Sequence, residues 1–270
     1  MQSLLIFTDL NDTLLDAKYD FSAAGEALAV IRRQGIPLII TTSKTRWQAE
    51  IYRRALGLNY PLIVENGGAI HFPPGSFEAD ELPKECVFDS GEWEWELGRG
   101  VQEILPDLLL AARTAGAEIE TIWEMTEERI SEYTGMSRAE AEACQERRYC
   151  VYFLIHRGKE ELLKQLRQHD YQPAKGSYFY HLSDRSKGEA VKRLTELYKV
   201  RHGASLKTVA IGDNENDLSM LKAVDIPCLV EQPGGGYNAL VEIEGMRLLP
   251  GVGPKGWNEG VKELLMSIKV

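Results

Sequence analysis

The sequence predicts an α/β protein, a Rossmann-like doubly wound parallel sheet into which an α+β cap is inserted. Three observations predict it. Short, uninterrupted apolar runs alternate with helical patterns from Leu4 to Val64. That alternation breaks between about Pro83 and Ser183, where long helices and a few half-apolar strands take over. It then resumes and continues to Val230. Strand, helix, strand, helix, strand is the pattern of a parallel sheet, because parallel neighbours need a crossover that a helix supplies.

Leu4-Leu5-Ile6-Phe7 reads as a first strand covered on both faces, since nothing in it is polar. From about Phe21, Ala24, Leu28 and Ile31 recur at helical spacing until Gly35 ends the run. Ile36-Pro37-Leu38-Ile39-Ile40 is a second buried strand, Arg46 to Leu56 a helix, and Pro61-Leu62-Ile63-Val64 a third strand. In the middle block, Tyr149 to His156 and Tyr178 to Leu182 alternate as half-covered, antiparallel strands do. Ser137-Arg138-Ala139-Glu140 fits a capping box opening a helix toward Arg148, and Tyr171 to Gly176 reads as a turn. After Ser183 come a helix from Lys187 to Tyr198, a strand from Leu206 to Ile211, a helix from Asn216 to Ala223 and a strand from Ile226 to Val230. Gln232-Pro233-Gly234-Gly235-Gly236 looks like the most flexible segment, too short for an interdomain linker. The division expected is residues 1–82 and 184–270 for the core and 83–183 for the cap. No internal repeat is visible.

The chain has 270 residues, which suits a core domain with a smaller module. A net charge of −10 argues against nucleic acid, whose phosphates call for an excess of Lys and Arg. The four cysteines show no C-x-x-C pairing, so neither a zinc site nor a disulfide framework is expected, and a reducing cytoplasm fits. No apolar run approaches the roughly 18–20 residues of a membrane span. The apolar start reaches Asp9 too soon for a signal peptide. The expected partner is a small anionic metabolite, with neither nucleic acid nor membrane, on a monomer or homodimer.

Four segments carry chemistry. Phe7-Thr8-Asp9-Leu10-Asn11-Asp12-Thr13 ends an apolar strand in a polar cluster, where doubly wound sheets place ligands. A carboxylate there can attack phosphorus or bind a metal; the alternative is an Asp/Asn/Thr turn held by local hydrogen bonds. Gly212-Asp213-Asn214-Glu215-Asn216-Asp217 repeats the arrangement after a second buried strand. Two acidic strand ends converging in a parallel sheet make an oxygen-ligand site for a hard cation, whereas helix capping would account for only one of these acids. Thr41-Thr42-Ser43-Lys44-Thr45 offers hydroxyls and free backbone amides to an anion at a helix start. Lys187, near the start of its helix, can supply the compensating cation.

Together these segments resemble the haloacid dehalogenase-like superfamily, whose pattern is D-x-D-x-T, a Ser/Thr after the next strand, a remote Lys and G-D-x-x-N-D. The resemblance implies that Asp9 is the nucleophile and that Thr42, Ser43 and Lys187 hold the transferring phosphoryl group. It implies Mg²⁺ on Asp9, Asp213 and the Asn11 carbonyl, with Asn216 and Asp217 orienting metal waters or Lys187. The insertion is similar to the large cap of the Cof-type branch. A narrower likeness is carried by Thr42-Ser43-Lys44-Thr45, Glu65-Asn66-Gly67-Gly68, Gly135-Met136-Ser137-Arg138-Ala139-Glu140-Ala141, Tyr180-His181 and Gly253-Pro254-Lys255-Gly256-Trp257-Asn258. These resemble mannosyl-3-phosphoglycerate phosphatases, which implies a substrate joining a sugar, a carboxylate and a phosphate. The last motif also reads as a turn before a helix, with Trp257 packed on the core. Substrate contacts are expected from Asn66, Gly67 and His181, with Gln145 a further candidate for hydroxyls, and from Arg147 or Arg148 toward a carboxylate. The arginines also suit an exposed helix end.

One residue departs from the pattern. The second acid of D-x-D moves the two protons of the reaction, and Asn11 stands there with no proton to give near neutral pH. Three readings of Asn11 stand: an introduced replacement of aspartate, an enzyme that uses another acid such as one from the cap, and a protein that binds without turnover. A phosphatase of a different sugar phosphate is the alternative function.

Overall fold

The computed structural model describes residues 3–169, 171 and 173–268. β1 (Leu4–Thr8) is buried along its whole length. Its side chains alternate between two cores: Leu4 and Ile6 enter one, Leu5 and Phe7 the other. α1 (Gly25–Gln34), β2 (Leu38–Thr41), α2 (Arg46–Ala55) and β3 (Leu62–Val64) follow. Thr45 and Gln48 form a reciprocal capping box that fixes where α2 starts. The sheet then continues with antiparallel strands, β4 (Ala69–Phe72), β5 (Val87–Asp89) and β6 (Glu92–Glu96).

A second layer comprises α3 (Val101–Ala115), β7 (Glu118–Thr121), α4 (Glu127–Thr134), α5 (Arg138–Gln145), β8 (Val151–Arg157), α6 (Lys159–Gln168), β9 (Ala174–Lys175) and β10 (Tyr180–Leu182). Its four strands form an antiparallel sheet in the order β7-β8-β10-β9. α3 and α6 pack on it through Ile104, Leu108, Leu162 and Leu166. The core resumes with α7 (Lys187–His202), β11 (Lys207–Gly212), α8 (Leu218–Leu221), β12 (Ile226–Glu231), β13 (Arg247–Val252) and α9 (Gly253–Ile268). Among the described residues the core sheet has nine strands, ordered β13-β12-β11-β1-β2-β3-β4-β6-β5. From β13 to β3 the pairs are parallel.

The topology sets the site. β1 lies between β11 and β2, with Thr8 level with both Ile211 and Ile40. The chain leaves β1 toward β2 on one side and returns to β11 on the other, so the carboxyl ends open into a crevice at this switch point. Asp9, Gly212-Asp213 and Thr41-Thr42 meet there.

The sequence division at residue 83 is corrected. β5 and β6 lie beyond it yet are hydrogen-bonded into the core sheet. The Glu-Trp-Glu-Trp-Glu run of β6 has charges where a solvated face would have them. Instead Glu92 and Glu94 are buried against arginines from α2 and from the cap. Two further segments differ from expectation. Within the segment read as a turn, Ala174–Lys175 pair with β10, while Gln172 lies outside the described residues. The Gln232–Gly236 segment is a tight turn closed by Gln232 N–H to the Gly236 carbonyl at 2.9 Å.

Candidate active site

Asp9 follows the last residue of β1 and is buried. Its backbone is held on both sides: its N–H donates to the Ile211 carbonyl, and its own carbonyl accepts from the Thr8 hydroxyl at 2.8 Å. That hydroxyl in turn accepts the Trp257 indole N–H at 3.1 Å. Trp257 is fully buried in the first turn of α9, and Asn258 beside it accepts from the Ala27 amide at 2.9 Å. The Gly-Pro-Lys-Gly-Trp-Asn segment therefore braces the strand end that presents Asp9, and it is also the packed turn of the simpler reading. Its glycines have a steric reason: a Cβ on Gly256 would lie 2.0 Å from the Gly251 carbonyl oxygen.

Lys187, at the start of α7, is fully buried, and its ammonium donates to Asp9 Oδ1 at 2.6 Å and to Asp217 Oδ1 at 2.7 Å. The other oxygen of Asp217 accepts the amides of Asp213 and Asn214 at 3.1 and 3.3 Å. Asp217 is thus committed to Lys187 and to the loop that carries Asp213. Gly212 permits this closeness, since any Cβ there would sit 2.6 Å from the Asp217 side chain. Asp213 accepts from Thr13 at 2.9 Å, which ties the two acidic strand ends together.

Asp9, Asp213 and Asp217 bring carboxylate oxygens within 4.8 Å of one another, and all three are buried. Three carboxylates against one ammonium leave an excess of negative charge in a poorly solvated pocket. Burial raises the Asp9 pKa to about 7, Lys187 opposing and Asp217 adding to the rise. Burial, then Asp217 and Asp9, hold Asp213 well above the carboxylate range. Burial works against the charge on Lys187, but Asp217 and Asp9 outweigh it and keep it protonated. The donor set is all oxygen, which fits a hard divalent cation. The buried Asn11 Oδ1 has no hydrogen-bond partner beside this cluster.

The cavity above Asp9 is lined by the core residues Asn11, Ser43, Lys44, Gln48, Asp213, Asn214 and Asn216. The cap contributes Met136, Arg147, Tyr152 and the Gly176–Phe179 strand connection. Of the expected residues, Asp9, Asn11, Ser43, Asp213 and Asn216 line it, while Lys187 and Asp217 lie directly behind Asp9. Thr42 is buried one layer back, its hydroxyl accepting the Lys44 amide at 3.2 Å. Asn66 is buried near Cys150, its Nδ2 3.8 Å from that sulfur and its Oδ1 without a partner. Gly67 meets the backbone instead: a Cβ there would lie 2.3 Å from the Ser186 carbonyl oxygen, next to Lys187. His181 is buried with its ring beside Tyr152, and burial followed by Arg147 and Lys187 pushes its pKa down to about 3. It is therefore a neutral ring. Gln145 is occupied inside the cap, its amide donating to the Ile122 and Met125 carbonyls.

Arg148 is placed away from the cavity. Its guanidinium donates to Glu94 at 2.7 Å and to Glu96 at 2.6 Å on β6, and it is half-exposed. Its neighbour Arg147 lines the cavity instead, held by the Ser43 carbonyl. Sequence reasoning missed Lys44 as a cavity residue. The sequence signal was a lysine inside the Ser/Thr segment; the structure buries it to 2 % exposure. The Ser177–Phe179 contribution had no signal beyond an alternating strand.

A fold and a site of this kind define an enzyme that works on phosphate groups. The haloacid dehalogenase-like hydrolase family matches residues 6–98 and 154–233, and the chain belongs to that family. Its full-length relatives are more specific. A glucosyl-3-phosphoglycerate/mannosyl-3-phosphoglycerate phosphatase of Methanococcoides burtonii is 34% identical over 267 residues, 97% of each chain. One of the same description from Persephonella marina is 34% identical over 98% of each chain. A mannosyl-3-phosphoglycerate phosphatase of Pyrococcus furiosus is 32% identical over 84% of this chain and 90% of that one. The expectation of a phosphoric monoester hydrolase agrees with these relatives. Among solved structures, a Thermoplasma acidophilum protein superposes with a TM-score of 0.67 at 16% identity, covering 100% of this chain and 99% of the other. A HAD subclass IIB sugar phosphatase gives 0.63 at 15% identity over 99% and 100%. These last two share the fold.

Proposed function

We propose that this chain is a Mg²⁺-dependent phosphatase that removes the phosphate from mannosyl- or glucosyl-3-phosphoglycerate through an aspartyl-phosphate on Asp9. The observation that carries the chemistry is the buried contact of Asp9 with Lys187, set beside Asp213 under a cap. The choice of substrate rests on the full-length likeness to phosphatases of those glycosyl phosphoglycerates. Asp9, Asp213 and the Asn11 carbonyl would hold Mg²⁺, which when bound supplies positive charge for the transferring phosphoryl oxygens.

Lys187 holds the Asp9 carboxylate and the Thr8–Trp257 brace holds its backbone, so its attack on phosphorus carries little orientational cost. The bond from Asp9 oxygen to phosphorus forms as the ester P–O bond breaks, its electron pair leaving on the alcohol oxygen. Water then forms a new bond to phosphorus, and the acyl-phosphate P–O bond returns its pair to Asp9. The alcohol gains the proton that the water loses. Asn11 can hydrogen-bond but cannot carry that proton. Ser43 offers its hydroxyl at the cavity, and Thr42 fixes the turn behind it through the Lys44 amide.

Phosphate release from mannosyl- and glucosyl-3-phosphoglycerate, with and without Mg²⁺, tests this reading against Asp9→Asn. Release that requires both Mg²⁺ and Asp9 is expected. Release no greater than that of Asp9→Asn would sink it. A panel of other sugar phosphates, run alongside, reads substrate choice separately from chemistry.

A further inference from the structure

Two cations line the cavity, and neither is the ammonium hydrogen-bonded to Asp9, which is Lys187. Lys44 is 2 % exposed, and its ammonium has no hydrogen-bond partner. The nearest carboxylate, Glu140 at 4.0 Å, is already taken by the Tyr52 hydroxyl and by Ser137. The rings of Tyr19 and Tyr52 lie 4.8 and 5.3 Å from the ammonium, a partial compensation only. Arg147 is 4 % exposed and lies over the Tyr152 ring. One of its terminal nitrogens donates to the Ser43 carbonyl at 3.0 Å and the other approaches Cys144 Sγ at 3.6 Å, while Nε has no partner. A buried charge is retained where something of opposite sign compensates it. Here two buried charges of the same sign face one cavity: burial chiefly disfavours the Lys44 ammonium and Arg147 adds to it, while Glu140 supports Lys44 and Glu65 supports Arg147 without hydrogen-bonding to either free nitrogen.

We propose that Lys44 and Arg147 form a second anion site that takes the carboxylate of a phosphorylated hydroxy acid, beside the site for the transferring phosphoryl group. This rests on the phosphatase reading above and deepens it. The number of free donors favours a carboxylate. Lys44 Nζ and Arg147 Nε are buried donor atoms without a partner, one from the core and one from the cap, and a carboxylate has one oxygen for each. The phosphoryl group has its own cation, since Lys187 contacts Asp9 directly. The two cations meet at the Ser43–Lys44 peptide, to which Arg147 and Tyr152 both anchor through the Ser43 carbonyl. The cap–core contact at Ser43 therefore sets Arg147 opposite Lys44 across the cavity.

The test compares two non-hydrolysable phosphonates that differ in one group, the analogue of 3-phosphoglycerate and the analogue of glycerol 3-phosphate. Both are titrated calorimetrically into the full chain with Mg²⁺ present. A preference of about tenfold or more for the carboxylate is expected, the worth of a charge-assisted contact. Lys44→Met and Arg147→Met should each weaken the carboxylate analogue more than the carboxylate-free one, bringing the ratio toward unity. A wild-type ratio near one, or variants that weaken both analogues equally, overturns the proposal. Circular dichroism and melting check folding; if a methionine variant does not fold, Lys44→Gln and Arg147→Lys replace it, and the wild-type ratio decides in any case. Turnover of p-nitrophenyl phosphate is measured in parallel. Its failure would count against the phosphatase reading and leave the binding ratio to speak for this one.

Discussion

Asn11 sits two positions past the nucleophile with a buried amide oxygen that no donor satisfies. The only carboxylates among the residues lining the cavity are Asp9 and Asp213. Among the described residues the cap lining offers Met136, Arg147, tyrosines, Phe179 and Ser177, none of which is an acid able to take over the proton. Asp12 does not replace it either. Its backbone is left-handed at φ 57°, a conformation that Asp tolerates better than most residues, and its carboxylate accepts from Ser177 of the cap at 3.1 Å. Asn11→Asp is therefore expected to raise turnover of alkyl phosphates by roughly 10²–10⁴-fold, the usual worth of general acid–base help. p-Nitrophenyl phosphate separates the two steps, because nitrophenolate leaves without a proton. Stopped-flow mixing of the Asn11 protein with that ester should show a burst of nitrophenolate near one equivalent, followed by slow hydrolysis of the phospho-enzyme. Equal rates for the two proteins on the alkyl ester would refute the assignment of the missing acid to position 11.

Between elements, the link from core to cap runs through Glu65. Its carboxylate leaves the end of β3 and accepts the amides of Arg148, Tyr149 and Cys150, at 3.0, 2.9 and 3.0 Å for the shortest contacts. These amides open the segment leading into β8, so one core side chain fixes where the cap strand begins and where Arg147 points. Glu65→Gln keeps the shape but turns one oxygen into a donor facing amide donors. We expect a loss of stability of roughly 1–3 kcal/mol, the cost of leaving buried amides unpaired. We also expect kcat/KM for the phosphoglycerate to fall more than that for p-nitrophenyl phosphate. Chemical denaturation and paired kinetics measure both; an equal fall for the two esters would mean that Glu65 does not act through the cap. This link explains the limits of sequence reading. β1, β2, β3, β11 and β12 were legible because strands covered on both faces must be continuously apolar. The acidic strand ends were legible because such runs rarely end in carboxylates without reason. β6 was not, since its glutamates find arginines from remote segments. Nor was β13, whose Pro250 and Gly251 an edge strand can absorb. Glu65, Lys44 and Arg147 depend on a cap–core contact that no local pattern encodes.

For the whole molecule, acidic and basic titrations oppose one another. His71 and His181 are buried neutral with pKa values pushed down to about 3, chiefly by burial. Between about pH 3 and 6.5 the unfolded chain binds protons that these rings refuse, so their contribution to stability rises with pH. Asp9, raised to about 7, and Asp213, raised well above its ordinary value, act in the opposite sense. From about pH 4 toward 7 the metal-free native state keeps a proton on Asp9 that the unfolded chain has shed, and Asp213 acts in the same direction, so their contribution falls as pH rises. In the metal-free protein the buried histidines and the buried aspartates thus pull the pH dependence of stability in opposite directions over this range. A cation at the proposed Mg²⁺ site needs both carboxylates ionised and competes with those protons. The stabilisation from a fixed concentration of free Mg²⁺, read as a rise in Tm, should then be small at pH 5 and grow through pH 7, the free energy by up to about 1.4 kcal/mol per pH unit for each proton displaced. Differential scanning calorimetry across that range measures it directly. Asp213→Asn should remove both the Mg²⁺ increment and its pH dependence, whereas a Tm increment that is constant from pH 5 to 8 would place the metal somewhere other than Asp9 and Asp213.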